Sequence, residues 1–502
     1  MVAGGAVRTM AAVDLGAESG RVMVARYDGQ RLSLDEVHRF PNRAVMVRGH
    51  RLWNMLGLWD EVLAGLRAAR QGAGSFESVG VDAWGVDYGL VNSQGLLRAL
   101  PFHYRDLRTG GVMEQVFAHV PREIIYARTG IQFLPINTLF QLYAHERQQP
   151  GELGGAHRLL LIPDLFHSWL SGEMVSERTN ATTTQCWDPI AGRWATDLIN
   201  ELGLPTSMLP PIVEPGTVLG KVLPEWHGEF AAAHVISPAT HDTGSAIAAA
   251  PVVQREGWAY VSSGTWSLVG AELAHPNMTS EALAGNWTNE GGVFGTTRFL
   301  KNVMGLWLLQ ECQRIWALEG RAQNYDSLLA QIDDVPTHVA LIDPDDPRFL
   351  APVLMPDAIN DYLRAHAQPP LEMPADFARC IMESLVLRYC EVLRQLERLT
   401  GRMIEAIHVL GGGSRNTRLN RWLADAFGVP VIAGPQEATA LGNALLQLVG
   451  LGDLRTLAEI RAIAQRAPTQ VFEPEASQRA MWDEAAERFA LLFARTQATE
   501  AP

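Results

Sequence analysis

The stretch "AAVDLGAESGRVMVARYDGQRLSL", residues 11–34, decides how the rest of the chain is read. An apolar run ends at Asp14 and Leu15, a short turn runs through Gly16, Ala17, Glu18, Ser19 and Gly20, and a second run alternates from Arg21 onward. That pattern predicts a β-hairpin. The stretch "WAYVSSGTWSLVGAEL", residues 258–273, repeats the plan with Gly264 and Thr265 in its turn. Two such hairpins, one opening the chain and one near its middle, predict two domains of similar topology with a boundary between residues 244 and 257. A chain of 502 residues also exceeds what one hydrophobic core serves. We therefore divide it into residues 1–248 and 249–502, the second part ending in a helical tail from about residue 451.

Beyond residue 373 the pattern turns to α/β. "PADFARCIMESLVLRYCEVLRQLERLTG", residues 374–401, sets Phe377, Ile381, Leu385, Tyr389, Val392, Leu396 and Leu399 at helical spacing, with Pro374 at its start and Gly401 past its end. A strand "AIHVL", a turn "GGGSRN", a helix "TRLNRWLADAFG", a strand "VPVIAG" and a helix "EATALGNALLQLVG" follow. Such alternation implies parallel strand pairs.

Composition narrows the function. Hydrophobic residues at 47% and charged residues at 19% describe a folded globular chain. A net charge of −14 argues against nucleic acid or a membrane as partner, since both attract clustered Lys and Arg. A small anion such as ATP stays compatible, because backbone N–H groups bind it locally. The four cysteines show no CxxC spacing and fit thiols in a reducing cytosol. No apolar run approaches the ~20 residues that span a bilayer, and the N-terminus lacks a leader pattern, so a cytoplasmic protein is expected.

The turns carry the first chemical signal. Gly16, Ala17, Ser19 and Gly20 leave backbone N–H groups open to phosphate oxygens, and Asp14 could hold Mg²⁺ through water. The alternative is a plain hairpin turn in which Asp14 bonds its own backbone. Ser263, Gly264 and Thr265 offer a second set of small residues and hydroxyls, and two facing clamps suit a triphosphate. Gly411, Gly412 and Gly413 either let an adenosine lie flat or make a tight strand-to-helix turn.

In "VISPATHDTGSAIAAAP", residues 235–251, His241, Asp242 and Thr243 precede a run of small residues. A helix from 243 onward would offer its first N–H groups to an anion, while Gly244, Ser245 and Ala246 would allow close packing against the other domain. Asp242 is then either a reactive carboxylate or an N-cap. A helix end should lower its pKa. Trp84 is either a sugar platform or a core aromatic, and Asp87, Arg105 and Asp106 can form an internal ion-pair network. Leu306, Trp307 and Leu309 fit a helix core.

These elements, in this order, resemble the FGGY carbohydrate kinases, a family sharing the actin and Hsp70 ATPase fold. The likeness runs from about residue 11 to about 450. It rests on "VDLGAESGRVM", "VDAWGVDYGLV", "YRDLRT", "TGIQFLPINTL", "NATTTQ", "THDTGSA", "YVSSGTWSLVG", "TNEGG", "LKNVMGLWLLQE", "HVLGGGSRNTRLN" and "VIAGPQEATALGN". It implies two ribonuclease H-like domains flanking a nucleotide and sugar cleft. Within the family the chain most resembles members acting on L-rhamnulose, which implies ATP- and Mg²⁺-dependent transfer to the C1 hydroxyl. By the same resemblance Asp242 is the base that accepts the hydroxyl proton. Gly85, His241, Asp242, Thr243 and Asn302 contact the sugar. Ala17, Glu18, Ser19, Gly20, Arg21, Gly264, Thr265, Gln310, Gly411 and Gly412 contact ATP, and Asp14 reaches the metal through water. Glu18 departs from the small hydroxyl residue common there, so its carboxylate must point away from ATP or help hold metal. Another ketose, L-fuculose or D-xylulose, is the nearest alternative substrate, and a non-catalytic sugar-responsive regulator is the alternative of another class.

Overall fold

The strand β1, Arg8–Leu15, and the strand β2, Ser19–Tyr27, form the hairpin expected at the start of the chain, in an antiparallel register that sets Asp14 opposite Arg21 and Leu15 opposite Gly20. This computed structural model describes residues 7–230, 233–253 and 256–499. They form two compact units: Met1–Val253, Glu272–Leu300 and Glu437–Ala467 in the first, and Gln254–Ala271, Lys301–Gln436 and Pro468–Pro502 in the second. The units are thus interleaved in sequence, whereas a division at 248/249 is a single cut.

In the first unit the strands β3 (Leu32–Pro41), β4 (Ser78–Ala83), β5 (Thr217–Lys221) and β6 (His234–Ser237) complete a sheet in the order β5-β6-β4-β1-β2-β3. β4 runs parallel to both β1 and β6. The helix α1, Met55–Ala73, packs its apolar face on β2 and β3. α2, Asp242–Ala248, follows the loop after β6.

The second unit repeats the plan. β7 (Trp258–Ser263) and β8 (Trp266–Leu273) form its opening hairpin. A further hairpin, β9 (Thr288–Gly291) with β10 (Thr297–Met304), pairs Thr288 with Leu300 in the first unit before the chain runs on into the second. β11 (Ala406–Leu410), β12 (Val431–Ala433) and β13 (Gln470–Phe472) extend the second unit's sheet in the order β8-β7-β11-β12-β13, with β7, β11 and β12 mutually parallel. The helix α3 spans Trp307–Leu318. α4, Pro374–Thr400, begins on its proline and stops where Gly401 turns left-handed at φ 67°. Phe377, Ile381, Leu385, Tyr389, Val392 and Leu396 are buried along it. α5, Thr417–Phe427, packs on α4.

α6, Ala438–Gly450, and α7, Leu457–Ala464, lie late in the chain yet belong to the first unit. Leu441, Ala444, Leu445 and Leu448 share one buried cluster with Met10, Ala25, Ala248 and Ala249. The segment after 451 is more than a helical tail: β13 pairs antiparallel with β12 before the last helix, α8, Arg479–Thr499. Its strand was missed because "QVF" is too short to show a period.

Candidate active site

Three acidic side chains gather at the carboxyl ends of β1 and β4, where open α/β sheets hold their ligands. Asp14 on β1 lies beside Asp82 on β4 in the parallel register. Arg21 donates Nε (2.9 Å) and Nη2 to Oδ2 of Asp14, and it also pairs with Glu437 just before α6. Asp82 is fully buried and accepts 2.6 Å from Nδ2 of Asn443 on α6. Burial pushes its pKa well above the usual carboxylate range, the neighbouring charge of Asp14 adds to this, and the Asn443 bond opposes it.

The turn after β1 is closed by Gly16 N–H donating to Ser19 O at 2.9 Å. Asn42 fixes it from the side, donating Nδ2 to Gly16 O (2.9 Å) and its backbone N–H to Glu18 O (2.8 Å). Ala17 is half-buried, and Glu18 and Ser19 are exposed. Gly20 has a packing reason of its own: a Cβ there would sit 2.3 Å from the ring of Phe40.

After β6 the chain bridges to β4, with Ala83 paired to His241 and Ala83 N–H donating to Thr240 O at 2.9 Å. Glu177 holds this loop from beneath. It is fully buried and accepts from Thr240 N–H (2.8 Å), the Thr240 hydroxyl (3.1 Å) and Thr179 N–H (2.6 Å). His241 occupies the N-cap of α2 and Asp242 is its first helical residue, so Asp242 is not the cap. Oδ1 of Asp242 accepts from the N–H and hydroxyl of Thr243 and lies 3.4 Å from Nε2 of His241. The pKa of Asp242 is raised, not lowered as a helix end alone would dictate. Burial is the largest cause and Asp14 adds to it, while His241 and the Thr243 bonds oppose.

The small residues after Asp242 do allow close packing, and the partner is α6, which lies in residues 249–502 of the sequence yet belongs to the same compact unit as α2. A Cβ on Gly442 would lie 1.8 Å from Ser245 O, so the two helices touch backbone to backbone. Gly442 comes roughly 200 positions later, so the pattern of small residues pointed to a partner in the later part of the chain without naming the helix.

The loop after β4 carries Trp84 and Gly85. Trp84 is buried, its ring centroid 4.2 Å from that of Trp53. Oδ2 of Asp87 accepts from Nε1 of Trp53 (2.6 Å), Nε1 of Trp84 (3.1 Å) and Tyr104 N–H (3.1 Å), and Oδ1 accepts from Gln141 at 2.9 Å. Neutral donors hold Asp87, while Asp106 accepts from Arg51 and Arg108 backbone N–H groups and lies 3.3 Å from Nδ1 of His50. Burial pushes the Asp87 pKa up to about 6 against the pull of those bonds. Gly85 leaves no room for a side chain, since a Cβ would meet Thr183 Oγ1 at 2.9 Å. Val86 beside it sits at φ 66°, a conformation that costs a β-branched residue on the order of 1–3 kcal/mol.

In the second unit, the turn at Gly264 and Thr265 meets the start of α3. Thr265 O accepts from Gly305 and Trp307 N–H (both 3.2 Å), and Gly264 O from Leu306 N–H at 3.1 Å. One turn further along α3, Oε1 of Gln310 is buried with no hydrogen-bond partner among the described residues, a vacancy of the kind a ligand donor fills. Leu308 and Leu309 form the helix core, while Leu306 and Trp307 are half-buried. Gly411 follows β11 at φ 75° and ψ −158°, a conformation open only to glycine. Gly413 packs on Ser263, where a Cβ would lie 2.3 Å from its side chain. Gly264 and Thr265 thus follow β7 and Gly411 and Gly412 follow β11, its parallel neighbour, with Gln310 one turn along α3 from the Gly264 turn. Asn302 is half-buried on β10.

Residues 9–248 match the N-terminal domain and residues 259–451 the C-terminal domain of the FGGY family of carbohydrate kinases. The chain belongs to that family. It is 44% identical over 475 residues to a rhamnulokinase from Pectobacterium atrosepticum, covering 94% of each. It is 41% identical over 477 residues to a rhamnulokinase from Bacteroides thetaiotaomicron, covering 94% of this chain and 97% of that one. Among solved structures, a gluconate kinase from Lactobacillus acidophilus shares the fold at a TM-score of 0.79 and 15% identity, over 97% of this chain and 98% of that one. A glycerol kinase from Plasmodium falciparum does so at 0.75 and 14%, over 96% and 98%. The chain is therefore a carbohydrate kinase with the two-domain fold of its family, and ATP is the substrate that family membership implies.

Several residues at this site of the FGGY kinase were not singled out from sequence: Asn42, Glu177, Asn443, and the pair Glu290 and Arg298 beside His241. Glu290 stands in "TNEGG" and Asn443 in "VIAGPQEATALGN", motifs whose polar residues had no assigned partner because the contacts span long separations. Among the described residues, no cluster of three or more His, Cys, Asp or Glu could hold a metal, and no helix is long and apolar enough to cross a membrane. All four cysteines are buried and free.

Proposed function

We propose that this kinase transfers the γ-phosphoryl group of ATP to the C1 hydroxyl of L-rhamnulose, giving L-rhamnulose 1-phosphate and ADP. The observation that carries the substrate assignment is the 41–44% identity to rhamnulokinases across 93–94% of the chain. Asp242 is the base. The sugar oxygen bonds to the γ-phosphorus, the bond from that phosphorus to the bridging oxygen breaks with its electrons leaving on ADP, and the hydroxyl proton passes to Asp242. Its raised pKa suits this, because a carboxylate nearer neutrality is a better proton acceptor than an unperturbed one. In a loose phosphoryl-transfer transition state orientation matters as much, and the two Thr243 bonds leave one carboxylate oxygen, Oδ2, to face the hydroxyl.

Gly85, His241, Thr243 and Asn302 bind the sugar. Ala17, Glu18, Ser19, Gly20 and Arg21 serve the phosphates from the first unit, and Gly264, Thr265, Gln310, Gly411 and Gly412 serve the nucleotide from the second. Mg²⁺ would neutralise phosphate charge, and Asp14 would hold it through water, as suits an ion that keeps most of its hydration shell. Residues 1–248 carry sugar binding and the first phosphate turn, residues 249–502 carry ATP binding, and the protein works in the cytoplasm.

An ADP-release assay with L-rhamnulose, L-fuculose and D-xylulose tests the assignment. L-Rhamnulose should give the highest kcat/KM. A higher value with another ketose reassigns the substrate, and no turnover with any of them returns the chain to the sugar-responsive regulator.

A further inference from the structure

Arg298, on β10, is fully buried beneath His241, and nothing in the proposed chemistry uses it. Its guanidinium is held by hydrogen bonds at Nε and Nη2, the latter also donating to Thr179 O at 3.4 Å, and by an ion pair at Nη1. Nε donates to Gly291 O at 2.9 Å, Nη1 lies 3.1 Å from Oε2 of Glu290, and Nη2 is 3.0 Å from Nδ1 of His241. A guanidinium has donors only, so the ring nitrogen facing Nη2 must accept. Glu290 neutralises the buried charge and keeps the fork from turning away. Glu290 also approaches Nδ1, at 3.4 Å, but the arginine stands closer.

We propose that Arg298, held by Glu290, is a positioning residue for His241: it fixes the ring as the neutral Nε2–H tautomer and turns that N–H toward Asp242 and the sugar oxygen bound beside it. The distance of 3.4 Å from Nε2 to Oδ1 of Asp242 gives this N–H the direction it needs. Such a histidine donates one hydrogen bond to the substrate. The second-layer partner of a functional histidine commonly sets its tautomer in this way. The inference rests on the reading of His241 as a sugar-binding residue, and its test includes a measurement made without any sugar.

In the full chain labelled with ¹⁵N-histidine, two-bond proton–nitrogen correlations at neutral pH identify which ring nitrogen carries the proton, and His241→Asn locates the signal. The expected result is Nε2–H in the unmodified protein, Nε2–H retained in Arg298→Lys, and a tautomer mixture in the Glu290→Gln/Arg298→Met double variant, which leaves no unpaired buried charge. The same double variant should raise the KM for the ketose about tenfold, the loss of one aligned hydrogen bond, with the KM for ATP unchanged. Nδ1–H in the unmodified protein overturns the proposal, because the proton would then face Glu290. So does Nε2–H that persists undiminished in a folded double variant. A fixed Nε2–H tautomer alongside no turnover of any ketose would sink the kinase reading and leave the role of Arg298 standing.

Discussion

At the first hairpin, Asp14, the last residue but one of β1, faces Arg21 across the antiparallel ladder and Asp82 across the parallel one. At the second, β7 ends on Ser262 and Ser263, which face Leu268 and Ser267. The strand plan is the same, and only the side chains at its open end differ. Charge collects at the first turn: three carboxylates and an arginine whose guanidinium reaches a fourth, Glu437. The second turn offers hydroxyls, backbone groups and the carboxamide of Gln310. The difference teaches how one architecture can divide a phosphoryl transfer. On the proposed function, carboxylates able to accept a proton and attract a cation sit with the first turn, and a nucleotide's anionic tail would meet the hydroxyls and backbone groups of the second.

The largest effect should come from removing the carboxylate nearest the proposed proton transfer. Asp242→Asn keeps an oxygen for the Thr243 N–H and hydroxyl, so the start of α2 should persist, with an unchanged circular dichroism spectrum. Its kcat is expected to fall roughly 10²- to 10⁴-fold. A folded variant with nearly full turnover would mean that the charge at the first hairpin is not catalytic, and the contrast between the turns would lose its meaning.

A smaller effect belongs to the neutral turn. Gln310→Leu is close in volume and removes a buried oxygen that has no partner among the described residues. The protein without nucleotide should be unchanged or slightly more stable, because an unmet polar atom has been deleted. The KM for ATP should rise about tenfold, the loss of one hydrogen bond, with the KM for the ketose unaffected. Thermal melts and steady-state kinetics would read both. A rise confined to the ketose KM would place Gln310 with the sugar and contradict the division of labour between the turns.

The sequence showed both hairpins, the long helix after residue 373 and the α/β alternation, because each is a local pattern of apolar residues and glycines. It also brought Asp14, His241 and Asp242 forward through motif order. Partners across long separations stayed hidden. Glu437, just before α6, and Asn443 on it reach the first sheet from roughly 360 to 420 positions later, and Glu177 supports Thr240 from beneath a different loop. Periodicity reports which face of an element is buried and is silent on what covers it. The pKa of Asp242 was misjudged for the same reason. A helix end is visible in a sequence, whereas burial beside Asp14 is not.

The smallest expected effect separates two ways of burying a carboxylate within the first unit. Asp82 sits beside another acid, while Asp87 is surrounded by donors, and burial still raises Asp87 from 3.8 to about 6. Between those values the folded protein holds a proton on Asp87 that the unfolded chain releases. The folded state binds more protons there, so stability falls as pH rises. This contribution is complete below the unfolded value and is lost as pH climbs through about 6. Asp87→Asn should remove that slope, which is at most about 1.4 kcal/mol per pH unit within the window. The variant is also destabilised at every pH, because an amide cannot accept from all four of the donors Trp53, Trp84, Tyr104 and Gln141. The offset and the slope are separable in urea unfolding followed from about pH 4 to about pH 7. A variant curve displaced from the unmodified one by a constant amount would show that the four donors hold Asp87 ionised throughout, and that burial does not govern its charge.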